Sequence, residues 1–226
     1  MKRSELLKVS KPILFNTEMV RTILEGRKTV TRRVIDRDIV NHCDMEKDGT
    51  LLNYEDDNGD FINPVDLCRY KKEQYLYVRE TWRKHSPGTD IFIYRADYPD
   101  EYHRQMGFKP SIHMPKDAAR IFLKVTNVSV ERLQDITEGQ ALAEGIPDDW
   151  PMDKVYCPKC HGEGLVGALG PNLGFMEIEC SACEKATQRF KNLWNSTINS
   201  KNWDKYCWEA NPYVWVIRFE RVEVEE

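Results

Sequence analysis

No apolar run in the 226 residues approaches the roughly 18 that a membrane-crossing helix needs. The opening stretch MKRSELLKVSKPILF also lacks the apolar centre and small-residue cleavage site of a secretory signal. A cytoplasmic protein with no membrane partner is therefore expected. Excess positive charge is missing as well. The formal net charge is -4, so the field of the whole molecule does not draw nucleic acid. There is no internal repeat and no low-complexity tract.

What is present fits a globular protein with a sizeable core. Hydrophobic residues make up 41% and aromatics 11%, enough for one domain with an insertion or two small domains. Charge is unevenly spread: residues 2–37 are rich in Lys and Arg, whereas 43–60 and the closing RVEVEE are acidic. A local basic face is compatible with that pattern.

The cysteines form two groups. Cys43, Cys68 and Cys207 stand alone and read as reduced, small apolar side chains. Cys157, Cys160, Cys180 and Cys183 form two C-x-x-C pairs separated by residues 161–179. That spacing fits a four-thiolate zinc site, in which each C-x-x-C turn aims two sulfurs at one point and a hairpin between them closes the tetrahedron. With all four positions filled by sulfur, the metal is structural and holds no catalytic water. Two redox dithiols or a rubredoxin-like iron centre remain as alternatives. His161 reads as a bystander beside Cys160.

Periodicity places the elements. NTEMVRTILEG predicts a short helix capped by Asn16 or Thr17 and ended by Gly26. TVTRRVI predicts a strand from about Thr29. Residues 41–63 read as a long loop or marginal hairpin. YLYVRETW (75–82), DIFIYRADY (90–98) and ARIFLKVTNVSVERL (119–133) read as strands. DITEGQALAEG predicts a second short helix with a capping box from Thr137 to Gln140 and a terminal Gly145. ATQRFKNLWNSTINS places Ala186, Phe190, Leu193, Trp194 and Ile198 on one helical stripe, and PYVWVIRFERVEVE predicts the last strand.

GRKTVTRR matches the G-x-K-x-x-x-x-R pattern of ASCH domains. The segments YLYVRETW, ARIFLKVTNVSVERLQDITEGQALAEG and VWVIRFERV resemble those that follow it in that family. The likeness is greatest to ASCH proteins encoded by bacteriophages and prophages. It implies an α+β fold, a small curved PUA-like β-barrel with flanking helices, spanning 1–146 and 187–226, with 147–186 as a zinc-knuckle insertion. It further implies a cleft for a modified nucleoside or RNA.

One branch of the family, the amidohydrolases of N(4)-acetylcytidine, resembles this chain more closely. Their G-R-K-T-x-T stretch matches Lys28 and Thr31, and alignment of LQDITEGQALAEGI places Glu144 where that branch carries a glutamate. The resemblance implies Thr31 as nucleophile, Lys28 as base and Glu144 as polar partner. The chemistry is coherent in itself. A hydroxyl needs a base to become nucleophilic, and a lysine serves as one when burial or neighbouring cations lower its pKa; Arg27, Arg32 and Arg33 are nearby in sequence. Strand alternation sends residues 28 and 31 to opposite faces, so Lys28 must lie in the turn before the strand, with Thr29, Thr31 and Arg33 on one face.

A second reading keeps the same cleft without chemistry, as an RNA or modified-nucleotide reader. Arg27, Arg33 and Arg79 would then hold phosphate or a base edge, and Trp82 and Tyr94, with Tyr77 and Tyr98, would stack on bases or pack a core. His113, between two prolines, reads as a loop residue. A third reading makes the zinc knuckle a protein-interaction surface.

Overall fold

The structure, a computed structural model, describes residues 1–56, 58–86, 88–99, 106–146, 165–169, 175–180 and 185–225. The fold is mixed α+β. In chain order its helices and strands are α1 (Arg3–Val9), β1 (Lys11–Leu14), α2 (Thr17–Leu24), β2 (Val30–Val34), α3 (Arg37–Asn41), β3 (Cys43–Met45), β4 (Leu51–Glu55) and β5 (Phe61–Ile62). They continue with β6 (Tyr75–Arg79), β7 (Trp82–Lys84), β8 (Phe92–Tyr94), β9 (Phe122–Arg132), α4 (Glu138–Ala143), β10 (Leu165–Leu169), β11 (Phe175–Glu179), α5 (Ala186–Thr197), α6 (Trp203–Tyr206) and β12 (Tyr213–Val222).

A five-stranded sheet has the order β1-β6-β9-β12-β2. β1 runs parallel to β6, and β6 is antiparallel to β9. Smaller sheets are β3-β4-β5, β7-β8 and β10-β11. The chain divides into two compact units, one of 1–31, 68–128 and 217–226, the other of 32–67 and 129–216. It passes from one to the other inside β2, β9 and β12, and once between Leu67 and Cys68. Of the segment 147–186, the described residues fall within the second unit.

The first unit is built around a cluster of Leu6, Tyr77, Trp82, Met114, Ala118, Ala119 and Phe122. Helix α2 forms where its caps say it should. The Asn16 side chain accepts the Met19 N–H at 2.8 Å, and Val20 and Ile23 are buried on one face. Gly26 follows at φ +77°, the left-handed conformation that ends many helices. A Cβ there would meet nothing within 4 Å, so Gly26→Ala should cost only the backbone strain, about 1 kcal/mol. Urea unfolding measures this, and a change below roughly 0.3 kcal/mol would mean that the turn relaxes.

The second unit rests on α4 and α5. The Thr137–Gln140 capping box is present at the start of α4. Helix α5 buries Ala186, Phe190 and Trp194, spaced four apart. Glu138 ties the two together: its carboxylate accepts the N–H groups of Ala186 at 2.8 Å and Thr187 at 3.3 Å. These lie at the helix N-terminus, where exposed donors favour an anion. Trp194 Nε1 donates to the Tyr206 carbonyl at 2.8 Å.

Several expectations are corrected. Residues 41–63 take the hairpin form of the two weighed and not the loop: they carry β3, β4 and β5, joined by turns at Gly49 (φ +86°) and Gly59 (φ +81°). In the second turn the Asp56 carboxylate accepts the N–H groups of Asn58 and Asp60, both at 2.9 Å. The DG and NG pairs that build these turns are hairpin signals. YLYVRETW is broken into β6 and β7. DIFIYRADY keeps only Phe92–Tyr94 as strand, because Arg95–Asp97 curls into a 3-10 turn. The Arg95 guanidinium holds that turn through the Tyr98 carbonyl at 2.6 Å.

Candidate functional site

The basic turn after α2 sets the position of Lys28. The N–H groups of Arg27 and Lys28 both donate to the Thr22 carbonyl at 3.0 Å, and the strand begins only at Val30. Strand alternation therefore does not govern Lys28, as the sequence pattern requires if it is to act with Thr31. Both side chains are buried, each 2% exposed. The Lys28 ammonium lies 5.7 Å from the Phe15 ring centroid, and Phe15 packs against Phe219 at 6.1 Å. An aromatic wall of this kind holds a cation by the ring quadrupole. Thr29 is exposed and Arg33 half-buried, while Val30, Thr31 and Arg32 are all buried. This part of β2 is thus covered on both faces rather than alternating.

Arg27 is exposed, and its Nε donates to Glu25 at 2.9 Å. Its charge is answered locally.

In the second unit, Glu144 is the residue that ends α4, with Gly145 at φ +92° behind it. Its carboxylate accepts a hydrogen bond from Arg32 at 3.1 Å. The same guanidinium donates to Gln140 at 3.0 Å and reaches Glu131 at 3.4 Å. Its flat face lies 5.8 Å from the Phe190 ring centroid. Arg32 was read from the sequence only as a nearby cation; here it is the hub that makes a buried Glu144 tolerable.

The remaining nucleotide-binding candidates lie in the first unit. Arg79 donates to the Ile112 carbonyl. Trp82 is buried in the core cluster and packs against Phe92 at 5.7 Å, with Lys109 over its ring at 5.6 Å. The Tyr94 hydroxyl donates to the Ala118 carbonyl at 2.6 Å. Trp82 and Tyr94 thus serve as packing groups, the role weighed against base stacking. His113 is exposed in a 3-10 turn.

Sequence reasoning missed Glu80. It shares the parity of the inward-facing Leu76 and Val78, so alternation alone places a carboxylate among buried side chains. Arg120 compensates it, donating from Nε to Oε1 at 2.9 Å and from Nη2 to Oε2 at 3.0 Å, while also bonding Asp97 and stacking 3.9 Å from the Tyr94 centroid. Burial pushes the Glu80 carboxyl above its usual value against the pull of Arg120. Burial likewise raises the Tyr94 phenol to about 12.

A carboxyl that binds its proton more tightly folded than unfolded loses stability as pH rises through the interval between its two pKa values. Arg120→Ala removes the pull and widens that interval upward. The variant should be about 2 kcal/mol less stable at pH 7, with a deficit that shrinks as pH falls, because a protonated carboxyl no longer needs the guanidinium. Urea unfolding across neutral and acidic pH checks this; a deficit that does not change with pH would mean that loss of Arg120 leaves the Glu80 carboxyl where it was.

Of the four zinc-spaced cysteines, Cys157, Cys160 and Cys183 lie outside the described residues, as does His161. Among the described residues no three His, Cys, Asp or Glu side chains converge. The hairpin expected between the two pairs is present: β10 and β11 are antiparallel with Leu165 opposite Glu179, and Cys180, directly after β11, is buried. Cys68 and Cys207 are buried and Cys43 half-buried, consistent with small apolar roles. Among the described residues no helix is long and apolar enough to cross a membrane.

Comparison with family models, with curated proteins and with solved structures finds no match to this chain.

Proposed function

We propose that this is a nucleoside- or RNA-directed protein of the ASCH type, with a PUA-like body, that hydrolyses the acyl amide of a modified cytidine. The observation that carries the reading is burial. Lys28, Thr31 and Glu144, singled out by the likeness to the amidohydrolase branch, are all among the eight polar or charged residues buried in the described chain. Buried ionisable groups cost stability unless they are paired, and environments that perturb them concentrate at functional sites.

In the proposed reaction the Thr31 hydroxyl attacks the acyl carbonyl carbon while the Lys28 amine takes its proton. The tetrahedral adduct collapses to an acyl ester on Thr31 as the cytosine N4 leaves with a proton. Water then cleaves the ester, releasing the carboxylic acid and restoring the hydroxyl. Lys28 and Thr31 belong to the first unit and carry the proposal; the part assigned to Glu144 rests on the sequence likeness.

The test is chromatographic: incubate the chain with N(4)-acetylcytidine and other N4-acylated cytosines and follow release of the free base. Turnover is expected, and none across the panel would turn the assignment to the second reading. That reading, a non-catalytic binding module, is favoured by one observation: Arg32 already gives Glu144 a structural reason to be buried.

The zinc site belongs to the same proposal. Cys157, Cys160, Cys180 and Cys183 would hold one Zn²⁺ as thiolates, a structural ion that stiffens the hairpin and offers a surface for a protein partner. Metal analysis under reducing conditions should give about one zinc per chain. Chelation should melt the β10-β11 hairpin before the rest, because binding energy there is folding energy. Zinc-free protein with an intact hairpin would remove the site.

A further inference from the structure

One hydroxyl in the second unit faces two acceptors, and one of the two is a sulfur that oxidation can change. Met45, in β3, is 52% exposed, more than any other described methionine. Its Sδ lies 3.3 Å from the Tyr213 hydroxyl. The same hydroxyl donates to the Gly49 carbonyl. A phenol has a single proton to give, and a thioether is a weak acceptor, so in the reduced protein the proton goes to the carbonyl. The ring that carries it is fixed. Tyr213 is buried and stacked on the Arg132 guanidinium, which lies 3.7 Å from the ring centroid and is itself held by the Asn211 carbonyl at 2.9 Å. Gly49 belongs to the turn between β3 and β4, closed by the Gly49 N–H on the Glu46 carbonyl at 3.0 Å and the Glu46 N–H on the Thr50 carbonyl at 2.9 Å. The Tyr213 proton fastens that turn to the first residue of β12.

Oxidation reverses the order of the two acceptors. Hydrogen peroxide transfers one oxygen to the sulfur lone pair: the O–O bond breaks, an S–O bond forms, the sulfur gives up two electrons and the peroxide leaves as water. The side chain becomes polar, and its new oxygen accepts a hydrogen bond far better than the thioether did. We propose that Met45 is a peroxide-sensitive modification site whose sulfoxide draws the Tyr213 proton away from Gly49 and releases the turn between β3 and β4. The nearby thiol does not compete for the oxidant. Cys43 is half-buried, its Sγ donates to the Ile39 carbonyl at 3.2 Å, and burial, with Asp44 beside it, pushes the thiol up, whereas the reactive form is the thiolate. Met45, Gly49 and Tyr213 all lie in the second unit, so the device does not depend on the deacylation chemistry of Lys28 and Thr31.

The test treats the full chain with graded hydrogen peroxide and follows it by peptide mass mapping and amide hydrogen exchange. Met45 should gain one oxygen well before the buried Met114 does. Exchange of the Glu46 and Gly49 amides should then rise about fivefold, the effect of one lost hydrogen bond on local opening. Met45→Leu keeps an exposed apolar side chain that cannot take the oxygen, so its turn should exchange at the parent's reduced rate with and without peroxide. Tyr213→Phe removes the contested proton; its turn should exchange fast from the start and gain nothing on oxidation. Three results overturn the proposal: Met45 still a thioether when Met114 is oxidised, exchange at Glu46 and Gly49 unchanged once Met45 is fully sulfoxide, or an equal rise in Met45→Leu.

Discussion

Thr31→Val is expected to stop deacylation, with turnover falling on the order of 10³-fold or more, while the protein stays folded. Valine keeps the branched shape that a buried strand position accepts and removes only the hydroxyl. Thr31→Ser, which restores a hydroxyl on a smaller side chain, should recover part of the rate. Lys28→Met keeps a long unbranched chain against Phe15 and removes the proton acceptor, and should slow turnover roughly 10²- to 10⁴-fold, the range for loss of a general base. Single-turnover rates and thermal melts on the same preparations separate chemistry from folding. Full activity in Thr31→Val would remove Thr31 as nucleophile, and loss of activity only in proportion to loss of folded protein would leave it with a packing role.

Arg32→Ala is expected to cost about 3–5 kcal/mol of folding stability, seen as a large drop in the urea midpoint. The reason is the partner left behind. Glu144 is 5% exposed, and without the guanidinium its buried carboxylate loses a charged donor, while Gln140 and Glu131 each lose one as well. The double variant Arg32→Met, Glu144→Gln should be closer to the parent than Arg32→Ala alone, because the buried carboxylate is removed together with the guanidinium and Met refills part of the volume against Phe190. A loss below about 1 kcal/mol in the single variant would show that water reaches Glu144 when Arg32 is removed.

The contrast between these two sites explains what the sequence made legible. Lys28 and Thr31 lie in a short motif whose spacing is local, and Asn16, Gly26, Thr137 and Gln140 announce their helix ends through caps that act over three or four residues. Phe190 and Trp194 follow from helical period. The Arg32–Glu144 pair joins residues 112 apart, and no local pattern carries such information. β3, β4 and β5 show in the sequence only as a marginal hairpin, for another reason. Their burial is slight, so polar residues obscure the alternation, and only the DG and NG turns marked them. The hairpin between the cysteine pairs was readable because metal-ligand spacing implies the turn that closes it. α1 and β1 are short, and α1 begins after Lys2 with no Ser, Thr, Asp or Asn to cap it, so neither announces itself although Leu6 and Ile13 are wholly buried.

The way the first unit is assembled has a consequence for its birth on the ribosome. It takes residues 1–31, then 68–128, then 217–226, so helix α2 and the basic turn are made long before the final segment that completes their unit. At ordinary synthesis rates that interval is roughly 10–40 s, during which Val20, Ile23 and the Lys28 stem lack their finished surroundings. Folding of this unit is therefore a late event, and the nascent chain is a natural client for a chaperone that shields apolar segments until residues 217–226 emerge.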